Sequence, residues 1–234
     1  MMSKKKDTPY YIGLAIIIVI FGYFAVKNVV HYINKDKVVD SNRTEDRAPV
    51  ADKFLYKHGK IPDFKFVNQR GDTITNETLL GQVYIVDFFF TSCGLICPPM
   101  SKNMATVHDE LKKYKNFKAI SITIDPITDT PEVMKEYAAR YTDDTRNWWF
   151  LHGEIDDVFE LAEKGFSSYI KKSDDPAIRF EHSGNFALVD KEGFLRSRKD
   201  EYGNWIMVYR GVEEFDALPQ IDEIVEDAVT LLND

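Results

Sequence analysis

The run Val83-Tyr84-Ile85-Val86-Asp87-Phe88-Phe89-Phe90 constrains this chain most. Apart from Asp87 it is β-branched or aromatic throughout, the composition of a strand covered on both faces. A second such run extends from Phe117 to Ile124. Between them, Pro98 and Pro99 open a segment with Met100, Met104, Val107, Leu111 and Tyr114 at helical spacing. Two buried strands joined through a helix require a parallel crossover.

The remaining patterns extend that unit. Phe64, Phe66 and Ile74 flank the turn composition Asn68-Gln69-Arg70-Gly71-Asp72 and predict a small hairpin. Thr130-Pro131 reads as an N-cap and first-turn proline for a helix through Val133, Met134, Tyr137 and Ala138. Trp148-Trp149-Phe150-Leu151 reads as a strand. Ile155, Val158, Phe159 and Ala162 mark a helix ending near Gly165. Phe186–Val189 and Phe194–Arg196 form a hairpin about Asp190-Lys191-Glu192-Gly193, and Ile221, Ile224, Val225, Ala228 and Leu231 give a closing amphipathic helix. This order predicts an α/β fold over residues 61–234: a thioredoxin-like sheet with helices on both faces.

The first 50 residues are different. Thr8 to Val26 is free of charge, and a helix of that length spans ~28 Å, close to the ~30 Å of a bilayer core. Val29 and Val30 extend the span if Lys27 snorkels. A cleaved signal peptide would end in small residues, unlike Phe24-Ala25-Val26-Lys27, so residues 8–30 read as an uncleaved transmembrane anchor after a cytoplasmic tail at 1–7. Residues 31–60 are polar and read as a tether. Lys4, Lys5 and Lys6 precede the span while Lys27, Lys35, Lys37 and Arg43 follow it, so charge alone does not orient it. Residues 1–50 carry a net +3 and the remainder −11. A domain that acidic repels phosphate backbones, which argues against a nucleic-acid ligand.

The chain has two cysteines, Cys93 and Cys97, where the first buried strand gives way to a helix. In a turn or helix their Cα atoms lie about 6 Å apart, suitable for a disulfide or for sharing one small ion. A helix N-terminus favours the thiolate there, and so short a loop makes a poor stability staple. Of the five histidines, His31 and His58 fall in the tether. His108 is expected on the solvated face of its helix, opposite Met104 and Leu111, and His152 in a loop after its strand. His182 directly precedes the Phe186–Val189 strand, where a thioredoxin-like sheet faces the cysteines. Met100 and Met104 share a period with Val107 and Leu111 and read as core.

Asp87-Phe88-Phe89-Phe90-Thr91-Ser92-Cys93, Cys97-Pro98-Pro99-Met100, Ile124-Asp125-Pro126 with Asp129-Thr130-Pro131, and His182 before Phe186-Ala187-Leu188-Val189-Asp190 together resemble the SCO/SenC family. The resemblance runs from about Ile61 to Leu232. It implies a membrane-tethered thioredoxin-like domain that binds copper and helps assemble the binuclear copper site of cytochrome c oxidase, with a subunit of that oxidase as partner. The family's copper ligands correspond to Cys93, Cys97 and His182. Where the family often has proline after the first cysteine, this chain has Gly94. The chemistry agrees with the resemblance: two thiolates and an imidazole suit Cu(I), Cu(II) would need a further donor, and structural zinc normally takes four protein ligands.

Two other functions use the same cysteines. A thiol–disulfide oxidoreductase would attack with Cys93 and resolve with Cys97. A thiol peroxidase is the third, on the faint likeness of Cys93-Gly94-Leu95 to glutathione peroxidases, whose Gln and Trp-Asn-Phe elements have no counterparts here. The resemblance and the oxidising setting suited to such a pair imply a bacterial inner-membrane protein with its domain in the periplasm.

Overall fold

The computed structural model describes residues 22, 23, 27, 55–173, 179–214 and 217–234. The span expected over 8–30 and most of the tether lie outside the described residues, save Gly22, Tyr23 and Lys27, which are helical. Among the described residues no helix is long and apolar enough to cross a membrane.

From residue 55 the chain builds the layered sheet that its buried strands require. Strand β4 (Val83–Phe89) is buried at every position, including the acid Asp87, and pairs in parallel with β5 (Phe117–Thr123) from Val83↔Phe117 to Phe89↔Thr123. β5 in turn pairs in parallel with β6 (Trp148–His152). Helix α2 (Cys97–Leu111) makes the β4–β5 crossover, and α3 (Pro131–Ala138) connects β5 to β6. On the far side of β4 lies β9 (Asn185–Val189), antiparallel, through Ile85↔Leu188, followed by β10 (Phe194–Ser197). The predicted parallel unit with its late antiparallel hairpin is therefore present. The small hairpin is present too, as β2 (Lys65–Asn68) and β3 (Thr73–Thr75) at the edge beside β6.

Local chemistry sets the boundaries. Pro98 and Pro99 occupy the first turn of α2, where their missing N–H groups lack helical partners anyway. Thr130 caps α3, its Oγ1 accepting from the Val133 N–H at 3.4 Å. Helix α4 (Ile155–Phe166) runs past Gly165 and ends at Ser167, which takes the left-handed conformation (φ 49°). Gly165 is a packing glycine instead: a Cβ there would stand 3.0 Å from Pro62 Cδ. Helix α5 (Ile221–Asn233) packs on α2. Its buried Asp227 accepts two bonds of 2.7 Å from Arg198 and one from the Tyr209 hydroxyl.

Four strands and a short helix carried no sequence pattern. β1 (Tyr56–Lys60) includes His58, placed in the tether by sequence, and pairs antiparallel with β10 at the sheet edge. Its Nε2 lies 2.7 Å from Ser197 Oγ. Helix α1 (Asn76–Leu79) follows β3, and β11 (Tyr209–Arg210) pairs with β9. β7 (Ile170–Lys172) and β8 (Phe180–His182) form a separate two-stranded sheet.

His108 overturns its expectation. It is wholly buried, its ring centroid 5.5 Å from that of Trp148, and neither ring nitrogen has a hydrogen-bond partner among the described residues. The helix faces the sheet more broadly than the Met104–Leu111 stripe indicates, because Trp148 reaches under its last turns. Met100 and Met104 are core, as expected.

Burial holds the His108 pKa below its ordinary value, against a partial opposing pull from Asp109 and Asp144. The unfolded chain therefore takes up a proton near pH 6.5 that the folded chain refuses, and stability falls as the pH drops below that point. This group contributes up to ~1.4 kcal/mol of loss per pH unit. Urea midpoints measured at pH 7 and 5 should draw closer together in His108→Phe than in the parent; an unchanged gap would contradict the assignment.

Candidate metal centre

The site begins where β4 ends. After Phe90 the chain turns, the Cys93 N–H bonding the Phe90 carbonyl at 3.1 Å, and Cys97 enters α2 as its first residue. Cys93 is half-buried and Cys97 fully buried; both are free thiols. Gly94 has open space where a Cβ would stand and does not adopt the left-handed conformation, so neither crowding nor backbone strain demands a glycine there.

His182 comes from the other end of the domain. Its Nε2 stands 3.4 Å from Cys97 Sγ, across 85 residues of chain. The donor atoms of Cys93, Cys97 and His182 all lie within 4.8 Å of one another, the one such cluster among the described residues. His182 closes β8 instead of sitting in a plain loop, so its backbone is held by the pairing with Ile170. Its ring packs edge-on against Phe90, centroid to centroid 5.9 Å, and Phe90 also takes the edge of Phe180 at 5.5 Å. The Nδ1 atom lies 3.1 Å from the Ser183 carbonyl, which can only accept. Nδ1 therefore donates to that carbonyl, and Nε2 is the ring nitrogen turned toward the sulfurs.

The two thiols share one proton unequally. A hydrogen bond from Cys97 lowers the Cys93 pKa to about 3, helped by His182 and the backbone N–H groups of Cys97 and Leu95, against a smaller opposing effect of burial. Cys97 is pushed up, first by holding the proton shared with Cys93 and then by burial. Near neutral pH the reduced pair thus carries one negative charge, placed on the more exposed sulfur.

Two acids absent from the sequence reading of the site support it. Asp87, wholly buried in β4, accepts from the Ser121 hydroxyl, which itself accepts from Trp148 Nε1 at 2.9 Å. Burial raises its pKa to about 7, so it is part-protonated near neutrality, and its charge disfavours a thiolate at Cys97. The signal was present as the lone charge in an apolar run. Asp129 reaches the cysteine loop directly: it accepts from the Thr91 N–H at 3.1 Å and from the hydroxyls of Thr91 and Thr123. No spacing rule connects Asp129 to Thr91. His58, His108 and His152 are not gathered with the cysteines, and His31 lies outside the described residues.

Fold and site together define a thioredoxin-like protein with a Cys-x-x-x-C pair and a histidine converging on one point. The SCO1/SenC family model matches residues 55–214, and the chain belongs to that family. It is 34% identical over 172 residues to the SCO1 protein homolog of Bacillus subtilis, covering 72% of this chain and 80% of that one. A candidate copper-binding protein of Stutzerimonas stutzeri is 29% identical over 161 residues, covering 68% and 76%. The solved structure of BsSco, a member of the Sco family of cytochrome c oxidase assembly proteins in which a disulfide switch was identified, superposes with a TM-score of 0.60 at 31% identity, covering 74% of this chain and 94% of that one.

The uneven sharing of the proton has a kinetic signature. Alkylation of Cys93 by iodoacetamide should proceed at a rate nearly flat between pH 5 and 8. In Cys97→Ala, which removes the largest cause of the lowered pKa, the rate should fall away toward acid pH. A parent profile rising through an ordinary thiol pKa near ~8.5 would contradict the shared-proton geometry.

Proposed function

We propose that this protein is a copper metallochaperone that holds one Cu(I) ion between Cys93, Cys97 and His182 and passes it to a cytochrome c oxidase subunit carrying the binuclear copper site. The observation that carries the reading is the convergence of two sulfurs and an imidazole nitrogen within 4.8 Å. Two soft donors and one borderline donor match Cu(I) better than the hard or four-donor sites other metals prefer. Because Cys93 is ionised near neutral pH, one sulfur is ready for metal without loss of a proton. Three protein donors leave room for a donor from the partner, which is what transfer by ligand exchange needs. Cu(II) would call for such an added donor even at rest. The family, and the role printed for BsSco, support the oxidase subunit as recipient.

Residues 8–30 act in this reading as a single membrane anchor and the polar residues between it and β1 as the tether, with the domain on the periplasmic face of a bacterial inner membrane. The support is the uncharged stretch from Thr8 to Val26. C-terminal reporter fusions should be active only for a periplasmic reporter; activity of a cytoplasmic one would reverse the orientation.

A second activity has its own support. Cys93 is the half-exposed, low-pKa thiol and Cys97 the buried, protonated one, the division of labour between an attacking and a resolving cysteine. The Cys93 thiolate would attack one sulfur of a target disulfide and release the other as a thiolate. Cys97, giving up its proton, would then attack Cys93 and free the second target sulfur. The target gains two electrons and the pair becomes a disulfide.

One set of variants tests both. Competition against a chromophoric Cu(I) chelator should show one ion bound per chain and at least a ~10-fold loss of affinity in Cys93→Ala, Cys97→Ala and His182→Ala. His182→Ala should retain thiol–disulfide exchange within a few-fold. Parental copper affinity in His182→Ala would remove the metal assignment.

A further inference from the structure

We infer that Arg179 is a positioning residue that holds His182 over the cysteines; the inference rests on reading Cys93, Cys97 and His182 as the metal ligands.

The need for such a residue follows from where His182 sits. β7 and β8 stand outside the main sheet, with three paired positions between them. A two-stranded ribbon of that length is not stable by itself, so its place is set by what its ends hold. On the C-terminal side, the Gly184 carbonyl accepts from the Gly211 N–H at 2.7 Å, and the Gly211 carbonyl accepts from Asn103 of α2 at 2.7 Å. That contact is close: a Cβ on Gly184 would stand 2.4 Å from Val212 Cγ2. In the ribbon itself, Phe180 lies on Phe90 and Phe159. Those contacts fix the depth of the ribbon, while apolar faces alone leave it free to slide.

Arg179 supplies the directional anchor on the N-terminal side. Its guanidinium reaches out of the ribbon to the turn before α3. There it donates to Thr128 Oγ1 at 3.0 Å and to Asp125 Oδ1 at 3.2 Å, and pairs with Asp125 Oδ2 at 2.8 Å. The Asp125 side chain is 2% exposed and, among the described residues, finds no other cation or hydrogen-bond donor. A buried carboxylate without its counter-ion is costly, so the pair has one strongly favoured arrangement. A planar guanidinium forked across two acceptors also resists sliding, as an ammonium would not.

The turn that Arg179 grips is the one that holds the cysteine loop. Asp129, four residues after Asp125, is bonded to Thr91, two residues before Cys93. The contacts therefore close a circuit: Cys97, His182, β8, Arg179, the Asp125–Asp129 turn, Thr91, Cys93. Both halves of the site are referred to a single turn, and Arg179 is the link on the histidine side. It touches neither sulfur nor imidazole in this structure, so its effect on the ion passes through His182.

A double-mutant cycle on the full-length reduced chain, read by Cu(I) competition with a chromophoric chelator, separates that role from general support of the fold. Arg179→Gln should weaken Cu(I) about tenfold when His182 is present, the lower end of what outer-shell partners of metal ligands contribute, and less than twofold in a His182→Ala background. Arg179→Lys keeps the charge but not the fork and should fall between parent and Arg179→Gln; it carries the same cycle if Arg179→Gln does not fold. Equal weakening in the two backgrounds, or none in the parent, overturns the positioning role while leaving the metal assignment standing. If His182→Ala alone binds as tightly as the parent, the metal assignment fails first.

Discussion

The approach of His182 Nε2 to Cys97 Sγ is the interaction on which the site depends. It joins two points 85 residues apart, and nothing local in either segment produces it. The sheet does most of the work. β4 delivers the cysteines at its C-terminal end, and β9, antiparallel beside it, begins at that same end, so the segment before β9 must pass over the cysteine loop. What the sheet leaves open is the last few ångströms. These are closed by the Phe90 contact, the Ser183 carbonyl, and the circuit through Asp125 and Asp129.

Within that frame the electrostatics have a direction. The proton shared by the sulfurs stays on the buried Cys97, and the charge on the accessible Cys93. Asp87 beneath the site reinforces this order, since its own charge disfavours a second one at Cys97. An acid placed there would be a liability in a purely structural pair. Titrating near neutrality, it gives the pair a neighbour able to change charge with it.

The parts legible in the sequence were those with a period or a pair of breakers. The apolar runs of β4 and β5, the prolines of α2 and the Thr130-Pro131 start of α3 each carry their own signal, and each element is found where expected. The convergence of Cys93, Cys97 and His182 was also legible, the cysteines by their place at a strand–helix junction and the histidine by topology and resemblance. The illegible parts are short or relational. β7, β8 and β11 are two or three residues long, too short for alternation to show. Arg179 and Asp129 matter through partners 54 and 38 residues away, which no local pattern encodes. His108 misled because a histidine on a helix reads as polar until the large ring of Trp148 is placed beneath it.

The central claim is that the His182 ring, held at Nδ1 by the Ser183 carbonyl, presents Nε2 to both sulfurs before any metal arrives. Side-chain ¹⁵N NMR of the reduced full-length chain tests it directly. The account predicts a His182 ring protonated at Nδ1, with the Nε2 resonance moving on addition of one equivalent of Cu(I). A ring bare at Nδ1, or an Nε2 resonance indifferent to Cu(I), would contradict it.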